Sequence, residues 1–182
     1  MALKDTPLCD FGWQAPAFTL KDAKGQSFDF TDFMGDRGLL IAFVCNHCPY
    51  VIAVADRLAN DAAALKVLGI NTVAIMSNDY QSYPTDAPDK MIEFADKYGW
   101  TFPYLIDEDQ SIARAYGAIC TPDFLGLNAQ GELQYRGRLD DAKMGDPTGR
   151  NRELVDAMRM IAETGQGPRE QTASMGCSIK WR

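Results

Sequence analysis

Leu39-Leu40-Ile41-Ala42-Phe43-Val44-Cys45-Asn46-His47-Cys48-Pro49 joins a fold signal to a chemical one. Residues 39–44 are apolar with no polar alternation, the pattern of a central strand covered on both faces. Pro49 then opens a run in which Val51, Val54, Ala55, Leu58, Ala62, Leu65 and Leu68 recur at helical spacing until Gly69 stops it. Residues 49–68 therefore read as one helix packed on the sheet. Between strand end and helix start stand two cysteines in C-x-x-C spacing. A sulfur placed there meets unpaired N–H groups and the positive end of a helix, and both favour the thiolate. His47, the single histidine of the chain, adds positive charge when protonated. Lowering a thiol pKa from about 8.5 to about 6.5 raises its ionised fraction at neutral pH by roughly tenfold or more. The spacing also lets one thiol attack a mixed disulfide formed on the other. On this reading Cys45 is the nucleophile and Cys48 the resolving thiol.

Before this segment, short alternating stretches at residues 18–20 and 27–30 flank a Lys24-Gly25 turn signal and predict a hairpin. After it, residues 71–76 form a second apolar strand, and Asn78, Pro84 and Pro88 interrupt the following loop. A helix is expected over 88–98, a short strand over 104–106 and a short helix over 111–116. Residues 123–127 and 133–137 flank a turn at 128–131 and predict a second hairpin. A last helix over 151–163 leaves a tail, residues 165–182, that holds Cys177 and Trp181. The order is hairpin, β-α-β, helical excursion, hairpin and helix, which predicts an α/β sandwich around a mixed sheet flanked by helices.

The chain has 182 residues and fits one domain, residues 1–182, with that tail. At 46% hydrophobic and 24% charged it is globular in composition. A net charge of -7 repels phosphate backbones and anionic lipid, so nucleic acid and membrane are not expected partners. No apolar run approaches the roughly 20 residues of a membrane span, and residues 1–10 lack a signal-peptide pattern, so the expected location is the cytoplasm. A homodimer is compatible with all of this.

Cys9, Cys45, Cys48, Cys120 and Cys177 are an odd number, unevenly spaced, and do not form a secreted disulfide framework. Cys9 falls in an amino-terminal segment expected to be flexible and is given no role. Packing alone has no reason to combine a strand end, C-x-x-C spacing and a helix start. A metal site is the stronger rival, with Cys45 and Cys48 completed by Cys120 and Cys177 if the fold brings them together. The main reading needs no metal and no cofactor: there is no glycine-rich phosphate loop and no paired histidine–carboxylate cluster. Asp107-Glu108-Asp109 precedes a helix and is read as capping it. The Tyr83-Pro84 and Pro88 segment is either a loop over the site or a plain insertion.

These residues together resemble the thioredoxin superfamily, and more closely its peroxiredoxin-like branch of alkyl hydroperoxide reductase and thiol-specific antioxidant domains. The resemblance rests on Ala15-Pro16-Ala17-Phe18-Thr19-Leu20-Lys21-Asp22 with Lys24-Gly25, on Asp32-Phe33 with Gly35, on residues 39–48, and on Thr121-Pro122. It implies a thioredoxin-like sandwich with an N-terminal hairpin extension. It also implies a cis Thr121-Pro122 peptide facing the C-x-x-C, where Thr121 and Pro122 would contact substrate and bring Cys120 close. The implied activity is thiol–disulfide exchange, with weak thiol-dependent peroxidase activity as the alternative. Its substrates would be protein or small-molecule disulfides or peroxides, and a thiol would donate the electrons. The branch's peroxidases place threonine or serine three residues before the peroxidatic cysteine and proline seven before it. Taking Cys48 as the counterpart, those positions hold Cys45 and Ile41, and Arg114 and Arg136 lie far from Thr121-Pro122 in sequence. Slow peroxide turnover follows. The Gly176-Cys177-Ser178-Ile179-Lys180-Trp181 tail is similar to that of C-x-x-C members of the branch, and His47, Cys120 and Cys177 are its auxiliary candidates.

Overall fold

The structure is a computed structural model that describes residues 3–182. Its main sheet has seven strands. In chain order they are β2 (Thr19–Asp22), β3 (Ser27–Asp29), β4 (Gly38–Phe43), β5 (Ile70–Met76), β6 (Tyr104–Ile106), β8 (Asp123–Leu127) and β9 (Leu133–Gly137). In space they run β3-β2-β6-β5-β4-β8-β9. The β4, β5 and β6 strands are parallel neighbours; both hairpins attach antiparallel, at β6 and at β4. The predicted mixed sheet and both hairpins are therefore present.

Alternation along the fully buried β4 builds two cores. Leu40 and Ala42 face one side, where α3 (Ala55–Val67) and α6 (Glu153–Thr164) bring Leu58, Leu65, Leu154 and Met158. Leu39, Ile41 and Phe43 face the other, meeting Phe18, Phe30, Phe33 and Tyr116. The remaining helices are α1 (Phe30–Phe33), α2 (Pro49–Ile52), α4 (Pro88–Tyr98) and α5 (Ser111–Ala115). Asp107 accepts from the N–H groups of Ile112 and Ala113 at 3.1 and 2.8 Å, so the acidic run does cap α5.

The single helix expected over residues 49–68 is instead two. The ladder fails at Ala53: its carbonyl accepts from Arg57 Nη2 at 2.7 Å, while the Arg57 N–H is drawn to Asp56 Oδ1 at 2.8 Å. Side chains thus replace the backbone bond that would have carried the helix through.

A second sheet, β1-β10-β7, was not foreseen. It comprises β1 (Leu3–Asp5), β10 (Met175–Ser178) and β7 (Cys120–Thr121). The tail supplies the middle strand, and the amino-terminal segment expected to be flexible supplies an edge. Gly176 permits the close packing, since a Cβ there would stand 1.8 Å from the Thr121 carbonyl oxygen. Cys9 is half-buried against the Phe18 and Tyr116 core, and burial pushes its thiol up to about 11. Among the described residues, no helix is long and apolar enough to cross a membrane.

Candidate active site

Cys45 lies just beyond β4, and Cys48 is the residue before α2, which begins at Pro49. Pro49 fits there because a first-turn N–H needs no partner. The amides of Val51 and Ile52 both donate to the Cys48 carbonyl, at 3.0 and 2.9 Å. Both sulfurs are sealed: Cys45 is 1% exposed and Cys48 0%. The sequence reading made Cys45 the nucleophile beside the positive end of a long helix. The structure gives the cap position to Cys48 and a helix of one turn, so local hydrogen bonds, not a long macrodipole, set the acidity of the pair.

The Thr121-Pro122 peptide is cis, and Thr121 touches both sulfurs. Its Oγ1 is 3.4 Å from Cys45 Sγ, and its carbonyl oxygen is 3.2 Å from Cys48 Sγ. Cys48 is held low, at about 5, first by a hydrogen bond from the Cys45 thiol, then by the Cys177 thiol, the Cys177 N–H and the Val51 N–H, against burial. The Thr121 carbonyl opposes this, since it accepts from a thiol and can only repel a thiolate; four donors outweigh one acceptor. Cys45 is pushed well above the usual thiol range by the proton it gives Cys48, then by burial and by the negative Asp86. The pair therefore shares one proton, with the charge on Cys48.

Asp86 was missed from the sequence. It is fully buried, and its Oδ1 accepts from the Asn46 N–H at 2.7 Å while Oδ2 accepts from Asn78 Nδ2 at 2.8 Å. Asn46 in turn donates through Nδ2 to the Thr85 carbonyl and accepts from Tyr104 Oη. The segment around Tyr83 and Pro84 is thus a loop over the site. His47 Nδ1 stands 2.8 Å from Asp86 Oδ2 but off the line of a ring N–H, a charge contact and not a hydrogen bond. The His47 ring stacks on Tyr83 at 5.7 Å and 7°. The Lys180 N–H donates to Asn78 Oδ1 at 2.8 Å, which ties the tail to this loop.

The two auxiliary cysteines separate. In the antiparallel pairing of β10 with β7, Cys177 lies opposite Thr121 and Ser178 opposite Cys120. Opposed residues share a face and neighbours alternate, so Cys177 joins Thr121 and the active sulfurs while Cys120 points away. Burial pushes Cys120 up to about 12. The four-cysteine metal set is therefore not assembled. Among the described residues the group within ligand reach is Cys45, His47 and Asp86, whose donor atoms lie within 4.8 Å of one another. That is one short of a closed four-ligand structural zinc site, and both Asp86 oxygens already accept hydrogen bonds. Arg136, distant in sequence, reaches Asp123, the residue after Pro122: its Nη2 is 2.6 Å from Asp123 Oδ2 and its Nε 3.2 Å from Oδ1. Both groups are committed to Asp123 and are not free to polarise a peroxide.

Beside Pro122 a groove of about 300 Å³ is lined by Tyr50, Val54, Phe124, Ser174 and Met175. Its walls come from α2, which follows Cys48, from β8, which follows Pro122, and from the tail that carries Cys177.

A family model described as AhpC/TSA matches residues 11–138. Among curated proteins, the chain is 30% identical over 117 residues to peroxiredoxin Bcp of Escherichia coli K12, covering 64% of this chain and 70% of that protein. It is 27% identical over 130 residues to the thiol-disulfide oxidoreductase ResA of Halalkalibacterium halodurans, covering 71% and 69%. Among solved structures, an uncharacterized conserved protein from Geobacillus kaustophilus superimposes with a TM-score of 0.93 at 37% identity, over 100% of this chain and 97% of that one.

Proposed function

The chain belongs to the AhpC/TSA family within the thioredoxin-like superfamily, and from that membership we propose a thiol–disulfide oxidoreductase working through Cys45 and Cys48. One observation carries the reading. The two sulfurs of a C-x-x-C meet at one residue, Thr121, next to a cis proline and a groove. Cys48, which holds the charge, attacks a substrate disulfide; a mixed disulfide forms on Cys48 and the first substrate thiolate leaves. Cys45 then attacks Cys48 Sγ, the Cys45–Cys48 disulfide forms, and the second substrate thiol departs with the proton. This exchanges the roles that sequence spacing assigned to the two cysteines. Both sulfurs are sealed, so substrate gains access when a covering segment yields, and the groove beside Pro122 is the approach we assign.

Substrates are protein or small-molecule disulfides, and a cellular thiol restores the dithiol. One folded unit of 182 residues with a cytoplasmic setting completes the proposal. Antioxidant peroxidase activity is secondary, because Cys45 and Ile41 stand where the mechanism calls for threonine and proline, and Arg136 is spent on Asp123. The test is stopped-flow reaction of the reduced protein with oxidised glutathione and, separately, hydrogen peroxide. Faster reaction with the disulfide, ending in a mapped Cys45–Cys48 disulfide, is the expected result. A peroxide rate equal to or above it overturns the preference.

A further inference from the structure

Three cysteines adjoin Thr121, and the mechanism above uses two. Cys177 is directly opposite Thr121 in the ladder and shares its face, and Thr121 contacts both Cys45 and Cys48. Cys177 packs with Cys45 and Cys48 in one buried cluster, and its thiol and backbone N–H are among the groups that pull Cys48 down. Among the described residues the sulfurs of Cys45, Cys48 and Cys177 do not all lie within 4.8 Å of one another, and Cys177 acts on Cys48. The sulfurs are arranged as a row with Cys48 in the middle.

We propose that Cys177 is a second resolving thiol, so that a mixed disulfide on Cys48 is closed from either side. This rests on the oxidoreductase reading and extends it. In the new branch the Cys177 sulfur attacks Cys48 Sγ, a Cys48–Cys177 bond forms, and the bond from Cys48 to the substrate sulfur breaks. The leaving thiolate takes the proton that Cys177 gives up. Overall, one substrate disulfide is reduced to two thiols while Cys48 and Cys177 are oxidised, and no further reagent enters.

The resting state does not oppose this. The Cys177 thiol is raised to about 11 by burial first, then by the hydrogen bond and charge of Cys48, with Lys180 pulling it down. Once Cys48 is in a mixed disulfide its charge is gone, and two of those causes vanish together. Cys177 becomes more acidic at the step that needs its thiolate. It also sits two residues from Met175, a groove-lining residue, and strand alternation puts the two on one face. A Cys48–Cys177 disulfide therefore lies on the groove side of the row, where a reducing thiol would arrive. Cys120, facing away beside Ser178, has no part in it.

The test uses the full chain, reduced and then given one equivalent of oxidised glutathione, as wild type, Cys45→Ser, Cys177→Ser and the double variant. Intact mass reports the glutathione adduct and peptide mapping the disulfide. Cys45→Ser is expected to form a Cys48–Cys177 disulfide with little adduct, and the double variant to hold roughly tenfold more adduct. A Cys45→Ser protein that keeps its adduct with Cys177 free overturns the second resolving thiol and leaves the oxidoreductase reading standing. Wild type needs no substitution and is expected to yield both disulfides, Cys45–Cys48 and Cys48–Cys177. A wild-type protein that retains stable adduct and forms neither overturns the function and this inference together.

Discussion

Asp61, Asp140 and Asp123 are as deeply buried as Asp86, yet they occupy a different kind of surroundings. Asp61 is clasped by Arg150 at 2.6 and 2.9 Å and by Arg152 at 2.7 and 2.9 Å. Asp140 holds Arg57 at 2.9 and 3.0 Å and shares Arg150, and Asp123 holds Arg136. Asp86 has no arginine. Its hydrogen bonds come from a backbone amide and an asparagine, and its ionisable neighbours are His47, Cys45 and Tyr104. At Asp61, Asp140 and Asp123 an arginine offsets the carboxylate charge, as Arg136 does where Asp123 acts on Cys120. At the sulfurs no arginine offsets the carboxylate: Cys45 is raised by its hydrogen bond to Cys48, by burial and then by Asp86, and Tyr104 by burial first, with Cys45 and Asp86 adding to it. Burial alone therefore does not distinguish a structural carboxylate from one that tunes a reaction; the charge of its partners does.

The largest effect should come from the arginine-paired carboxylates. Asp140→Ala leaves the Arg57 guanidinium, 6% exposed, without its carboxylate, and breaking such a buried pair costs about 3–5 kcal/mol. Urea unfolding should show that loss. Thiolate absorbance of the variant while still folded should titrate as in wild type. A displaced thiolate titration would mean that the two regions are electrostatically joined and the contrast is false.

The second prediction concerns the shared proton. Cys48 is depressed from 9.0 to about 5, so its contribution to the stability of the reduced protein is present above pH 9 and is lost as pH falls through about 5. Cys45, raised, acts oppositely: the stability it contributes is held below pH 9 and declines above that. Reduced wild type should accordingly lose stability between about pH 9 and pH 5. Cys45→Ala removes the largest cause of the Cys48 depression, so this slope should flatten and the thiolate titration should move upward. An unchanged titration would show that the Cys177 and Val51 donors, not Cys45, hold the charge.

Much of this architecture is local in origin and legible in the sequence. The apolar run of β4, the turn residues of both hairpins and the Cys45-x-x-Cys48 spacing each carry their meaning within a few residues. The break at Ala53 was not legible, because it depends on which of two acceptors the Arg57 N–H chooses. Nor were β1, β7 and β10: they have two to four residues each, too few to show a period, and they exist only where termini and Thr121 come together. Pairs such as Arg150 with Asp61, 89 residues apart, leave no trace in spacing. Asp86 was hidden in the same way, its role created by the return of a proline-bounded loop onto Asn46. The one signal for it was the recognition that the Tyr83-Pro84 segment could cover the site.

Asp86→Asn sharpens the contrast directly. The amide keeps one acceptor but turns a donor toward either Asn46 N–H or Asn78 Nδ2, and a buried mismatch of this kind costs about 1–3 kcal/mol. The Asp86 charge helps hold Cys45 high, after the Cys48 hydrogen bond and burial, so removing it should make Cys45 more acidic and move the pH profile of disulfide exchange downward. Equal loss of stability with no movement of the profile would reduce Asp86 to a loop anchor like Asp107 at α5.

The smallest effect is expected at His47. Its ring is stacked on Tyr83 and near Asp86, but its side chain is 17% exposed and its Nδ1 has no hydrogen bond. His47→Ala therefore removes one stacking contact, about 0.5–1.5 kcal/mol, and a charge contact that exists only when the imidazole is protonated. Asn46 and Asn78 continue to hold Asp86, so the loop should stay closed. The exchange rate of the variant should therefore stay close to wild type, and urea unfolding should show a loss no larger than that of the stack. A large fall in the exchange rate of the folded variant would assign His47 a role beyond this contact, with the Tyr83 stack as the means, and would place the loop's packing alongside Asp86 in setting the reactivity of the sulfurs.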